Sequence, residues 1–143
     1  MHPFILRLTP IALALVFVTN LCSAQTRKEE DIDIDYKKCI LNDSTCVTVS
    51  DCAFTAFGRW EKEMNKVYDK LLHELKKQDD KKALKAAQSA WLAYRQATFA
   101  SYDMMFNIPG DKWCRLRHED RIDIVRTRTL QLRAYYEILK KKK

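Results

Sequence analysis

The sequence predicts an all-α protein, a three-helix antiparallel bundle with a disulfide-held N-terminal loop. Two observations carry this. Apolar residues recur at steps of three and four over segments of five or more turns, the period of an amphipathic helix. Beyond residue 24 the chain has only two glycines, and outside Val47 and Val49 it shows no alternating Val/Ile-rich run of the kind a strand requires.

The first 24 residues read as a signal peptide. Arg7 precedes the apolar run IALALVFV (11–18), and Cys22-Ser23-Ala24 supplies the small residues of a cleavage site. The run is far shorter than the roughly 20 residues a bilayer span needs. Cleavage after Ala24 is expected, giving a periplasmic or secreted protein with no stable membrane insertion. Cys22 closes the apolar run as a lipidated cysteine would, but Leu21 is a poor residue to precede one.

Residues 25–38 (QTRKEEDIDIDYKK) are expected to form a flexible charged lead-in. One domain should follow over 39–139, with a basic tail at 140–143. Residues 39–51 (CILNDSTCVTVSD) read as the disulfide-held loop, ending at Ser50 or Asp51 as N-cap. A first helix over about 52–77 places Phe57, Trp60, Met64, Val67, Leu71 and Leu75 on one stripe. Gln78-Asp79-Asp80 breaks it, and either aspartate can cap a second helix over about 81–106. Leu84, Ala87, Trp91, Tyr94, Thr98, Tyr102 and Met105 form the stripe of that helix. Asn107-Ile108-Pro109-Gly110 ends it, and Asp111 is placed to cap a third helix over about 112–139, carrying Trp113, Leu116, Ile122, Val125, Leu132, Tyr135 and Leu139.

Cys39, Cys46, Cys52 and Cys114 remain after the signal, an even count that in an exported chain implies two disulfides. A short turn makes the first two helices antiparallel, and the third starts just past the end of the second. Cys52 and Cys114 then share one end of the bundle and are expected to pair, leaving Cys39 with Cys46. Pairings of Cys46 or Cys39 with Cys114 stay open. No pair has C-x-x-C spacing and His73 and His118 are not spaced as partners, so no metal and no cofactor are expected.

The formal charge of +7 becomes +6 without Arg7, and Lys140 to Lys143 contribute four of those charges. For an exported protein a basic tail does not imply nucleic acid. It reads as a solvated helix end with lysines near the negative end of the dipole, with loose attraction to anionic lipid or cell-wall polymer as the functional alternative. Catalytic patterns are lacking: no Ser/His/Asp arrangement, no H-E-x-x-H, no glycine-rich phosphate loop. Asp79-Asp80 and Glu119-Asp120 read as caps or a charged face, and His118 beside the latter as part of that face. A non-enzymatic protein is expected.

Gln88, Trp91 and Arg95 fall at i, i+3 and i+7 and so share one helical face. Tyr94 and Tyr102 flank it, and Asn65 and Tyr68 are its neighbours on the first helix. With an early cysteine region, these residues carry a family resemblance. Glu63-Met64-Asn65-Lys66-Val67-Tyr68 stands where the family has a Leu-Asn-x-x-Tyr segment. Leu84, Gln88, Trp91 and Tyr94-Arg95 match its Leu-x-x-x-Gln-x-x-Trp-x-x-(Tyr/Phe)-Arg run, and Cys114 precedes Arg128-Thr129-x-x-Leu132. Over roughly 39–136 the chain resembles the small exported helical domain of the lysozyme inhibitor LprI. Members often carry a cysteine soon after the Tyr-Arg pair, where this chain has Ala97-Thr98-Phe99, so the partner of Cys114 differs.

The resemblance implies an exported, disulfide-bearing helical domain and, loosely, lysozyme inhibition. The expected partner is a protein: a cell-wall hydrolase whose cleft is occluded, or another envelope protein for which this chain is an adaptor. A third reading has the aromatic groove bind a small ligand. A chain at +6 is steered away from strongly basic c-type lysozymes. The acidic run EEDIDID (29–35) offers a local compensation. The first place to look for a surface is the bundle end near Cys52, Asn107 to Asp111 and Cys114. Gln88, Trp91, Asn65 and Arg95 read first as a buried polar-aromatic clamp, with Arg95 a candidate for both roles.

Overall fold

The computed structural model describes residues 30–141 and holds four helices: α1 (Asp31–Cys39), α2 (Cys46–Glu74), α3 (Gln78–Met105) and α4 (Asp111–Lys141). The expected signal peptide lies outside the described residues. The all-α class holds, with one helix more than expected.

The long helices run up, down, up. Cys46 meets Cys114, Ser50 meets His118 and Trp60 meets Thr129, offsets of 68, 68 and 69 residues. A constant offset means that α2 and α4 lie parallel, and their seam is the core. Val49, Trp60, Val125, Thr129 and Leu132 are fully buried there. Thr129 Oγ1 donates to the Val125 carbonyl (2.8 Å), satisfying a polar group that would otherwise be orphaned in the seam. α3 runs antiparallel to both, with Phe57 edge-on to Phe99 at 5.9 Å. Gln88 is the one buried residue of α3.

The charged lead-in expected over 25–38 is corrected for its described part: 25–29 lie outside the described residues, and residues 31–39 are helical. Their acids lack an apolar stripe of their own but find partners on α2 and α4. Asp33 accepts from Trp60 Nε1 (3.0 Å) and from Arg126 Nε (2.6 Å). Asp35 pairs with Arg59 at 2.7 Å, and Glu30 with Arg133 at 3.0 Å. Tyr36 and Ile40 join the core beneath them. Asp31 and Asp33 in the first turn and Lys37 and Lys38 in the last also suit the helix dipole.

The disulfide-held loop is shorter than expected, because α2 begins at Cys46. Ser50 and Asp51 therefore sit inside the helix rather than capping it. Asp43 orders the approach, accepting from the Thr45 amide (2.9 Å) and the Thr48 hydroxyl. Asp111 accepts from the Cys46 amide at 2.9 Å, so the residue expected to cap the last helix instead caps the start of α2. α3 likewise begins earlier, at Gln78, and Asp79 and Asp80 occupy its first turn without capping.

These shifts explain the disulfides, which are Cys39–Cys52 and Cys46–Cys114. The expected pairs Cys52–Cys114 and Cys39–Cys46 are both corrected, and the open alternative of Cys46 with Cys114 is the one realised. With α2 starting six residues early, Cys46 is the residue level with Cys114. Cys52 lies about 9 Å further along the axis and faces α1, where it takes Cys39.

Candidate functional site

The polar-aromatic motif fastens α3 onto the α2–α4 pair. Gln88 Oε1 accepts from Arg128 Nε (3.0 Å) and Nη2 (2.9 Å), and its amide nitrogen points at Met64 Sδ (3.7 Å). Burial holds the Arg128 guanidinium below its ordinary range, an effect its bonds to the neutral Gln88 amide do not offset. Arg95 donates to Glu61 at 2.8 Å across to α2. Two guanidiniums lie over the indole of Trp91, Arg95 at 5.3 Å and Arg128 at 5.8 Å from its centroid. Trp91 and Tyr68 are half-buried, Asn65 is exposed, and Tyr94 is 58 % exposed. Gln88, Trp91, Arg95 and Arg128 thus come together as a clamp, while Tyr94 and Asn65 stand outside it. The fully buried tryptophan is Trp60, not Trp91.

The bundle end marked by Cys46–Cys114 has a different character. Leu41, Val47 (74 % exposed), Phe54 (80 %), Met104 (82 %), Met105 and Ile108 all present apolar side chains to solvent. Six of the ten large exposed hydrophobics of the described residues lie at this end, beside the Cys46–Cys114 disulfide. Single exposed apolar residues are ordinary, whereas a group around one rim marks a contact surface.

A groove of about 510 Å³ opens within this end, walled by Ala53, Phe54, Phe57 and Phe99 and closed by Ser50, Asp51, His118 and Arg121. His118 Nε2 lies 2.9 Å from Ser50 Oγ, bridging α4 to α2. Burial, then the charges of Arg121 and Arg117, push the imidazole below its ordinary value, so it is neutral at pH 7. Arg121 grips both oxygens of Asp103 (2.5 and 2.6 Å) and lies over the Phe99 ring at 5.3 Å. The groove is therefore a mainly apolar slot in which Ser50 and His118 engage each other and Arg121 is held by Asp103, with Arg121 Nε left buried and without a hydrogen-bond partner. It suits a partner's apolar side chain better than a reacting group.

Sequence reasoning named this end through Asn107 to Asp111 and Cys114 but missed Phe54 and Val47. With α2 starting at Cys46, these two fall at i and i+7, opposite the buried stripe of Val49, Cys52, Ala56 and Trp60. The compensating acidic run is corrected as well. Glu30, Asp33 and Asp35 are bound to arginines of the body, which leaves Asp31 as the exposed acid of the run outside these pairs, and Glu29 lies outside the described residues.

A family model described as lysozyme inhibitor LprI matches residues 39–132, from the end of α1 through most of α4. No curated protein and no solved structure matches the chain.

Proposed function

The chain belongs to the lysozyme inhibitor LprI family, and from that premise we propose that it is an exported, non-enzymatic protein that blocks lysozyme or another cell-wall hydrolase. Two disulfides suit the oxidising compartment in which such enzymes act. The observation that carries the reading is the apolar rim at the Cys46–Cys114 end. Its rigid scaffold and exposed Phe54, Val47 and Met104 supply the large, preorganised contacts that dominate protein interfaces. The target is occluded by this end rather than chemically altered. Because Asp33 and Asp35 of α1 are used internally, the net positive charge favours an acidic hydrolase over a basic c-type lysozyme.

Inhibition assays with the mature protein against basic and acidic cell-wall hydrolases test this. Phe54→Ala should weaken inhibition by about 30-fold, the size of an interface hot spot. Its unfolding midpoint should stay put, because the ring is 80 % exposed. Protection of none of these enzymes at micromolar protein would remove the inhibitor reading.

The alternative is an envelope adaptor that binds through a helix face. The outer side of α3 favours it, where Ala86, Ala90, Ala93 and Ala97 stand exposed beside Leu92 and Tyr94. In that case an Ala93→Arg variant would lose its envelope partner while Phe54→Ala retained it.

A further inference from the structure

The charge of this protein is concentrated at the end opposite the apolar rim. From Asp69 to Lys85 the chain carries six lysines against four acids, and from Glu137 to Lys143 four lysines against one. These two segments hold five of the six net charges that remain once Arg7 is removed. The fold brings their described residues together, because α2 ends, α3 begins and the parallel α4 ends at the same level. Lys70 and Lys140 mark the junction, their ammonium groups 5.8 and 5.6 Å from the centroid of one ring, Tyr136. Lys76 and Lys77 fill the turn, Lys82 follows in α3, and Lys141 extends α4; all four are exposed.

The basic residues are also sorted by type. Arg59, Arg95, Arg121, Arg126 and Arg133 are tied into ion pairs of the body. Neither lysine-rich segment contains an arginine. A guanidinium fork suits a discrete phosphate or carboxylate, whereas mobile, hydrated ammonium groups suit a diffuse sheet of negative charge. Two more side chains select the kind of sheet. Tyr135 and Ile138, one turn apart near the end of α4, are exposed at this pole. An anionic polymer in water offers an isoleucine nothing, but the headgroup boundary of a bilayer accepts both an apolar side chain and a tyrosine.

We propose that the lysine pole formed by the α2–α3 turn and the end of α4 docks this protein peripherally on anionic phospholipid, with Tyr135 and Ile138 dipping into the headgroup layer. No helix of the described residues is long and apolar enough to cross a membrane, so the contact is a surface one. The 29-residue α2 separates the two poles by about 40 Å. A lipid-bound molecule therefore holds its apolar rim outward. This docking stands apart from hydrolase inhibition, which the rim would perform in solution.

Flotation of the mature protein with phosphatidylglycerol-containing vesicles tests the proposal. Binding is expected at low salt, with none to pure phosphatidylcholine, and loss at about 1 M salt, where screening shortens to about 3 Å. Lys76→Glu with Lys77→Glu, both exposed turn residues, should lower partitioning at least tenfold. Ile138→Ser should lower it several-fold while leaving the salt dependence unchanged. Equal binding to neutral vesicles would overturn the electrostatic docking. Capture by heparin without vesicle binding, or full vesicle binding by Ile138→Ser, would overturn the bilayer as the occupant.

Discussion

Replacing Cys46 and Cys114 with alanine will lower the unfolding free energy by about 4 kcal/mol, the chain-entropy value for a closed loop of this length. The bridge spans 68 residues and closes the ring of α2, α3 and α4. The companion bridge, Cys39–Cys52, spans 13 residues, so its removal should cost about 3 kcal/mol. Domains of this size have 5–15 kcal/mol in total as an order of magnitude, about 4 of which would go with one bond. Further loss is expected at the rim, because Cys46 at the start of α2 is held by both the disulfide and Asp111. Urea unfolding of the two double variants decides the matter. A larger loss on removing Cys39–Cys52 would show that strapping α1 matters more than closing the long loop.

Trp60→Ala should be the most damaging single substitution in the helical core, at about 3–5 kcal/mol. The side chain has no exposed surface and ties α2 to both α1 and α4. Its indole nitrogen donates to Asp33 of α1, and its ring lies 5.8 Å from the Arg126 guanidinium and 5.7 Å from that of Arg133, both on α4. Removing it leaves a cavity and strips a donor from a carboxylate that is nearly buried with Arg126. Trp60→Phe keeps most of the volume and loses only the donor, so it should cost about a third as much. Thermal unfolding of the two variants separates the terms. Equal losses would mean that the Asp33 bond, and not the cavity, dominates.

The parts of this fold that were legible in the sequence are those determined locally. The stripe from Trp60 to Leu71 and the Asn-Ile-Pro-Gly turn set the long helices, since both depend on neighbours within a turn or two. α1 was not legible. The run Asp31 to Asp35 is a poor helix alone, and it becomes one because Trp60, Arg126 and Arg59 receive its carboxylates from 24 to 93 residues away. The early start of α2 was hidden for a similar reason. Val47-Thr48-Val49 is β-branched and favours extended backbone, but Asp111 caps the helix start at Cys46 from 65 residues downstream.

The candidate site divides the same way. Gln88, Trp91 and Arg95 could be grouped from spacing alone, and they proved to be the clamp. The exposed rim could not be found until the helix register was known. Starting α2 six residues earlier brings Val47 into the helix and onto the same outward face as Phe54.

The order of the cystines has a consequence for biogenesis. Cys46 lies between Cys39 and Cys52, so the two bridges interlock along the chain. A polypeptide threaded into the envelope from its N-terminus presents Cys39 and Cys46 first, and an indiscriminate oxidase joins them. That bond must then be broken by thiolate attack and reshuffled before Cys114 can find its mate. Under the proposed export, maturation of this small bundle is expected to need disulfide isomerisation, and the yield of correctly bridged protein should fall in a host that lacks a disulfide isomerase.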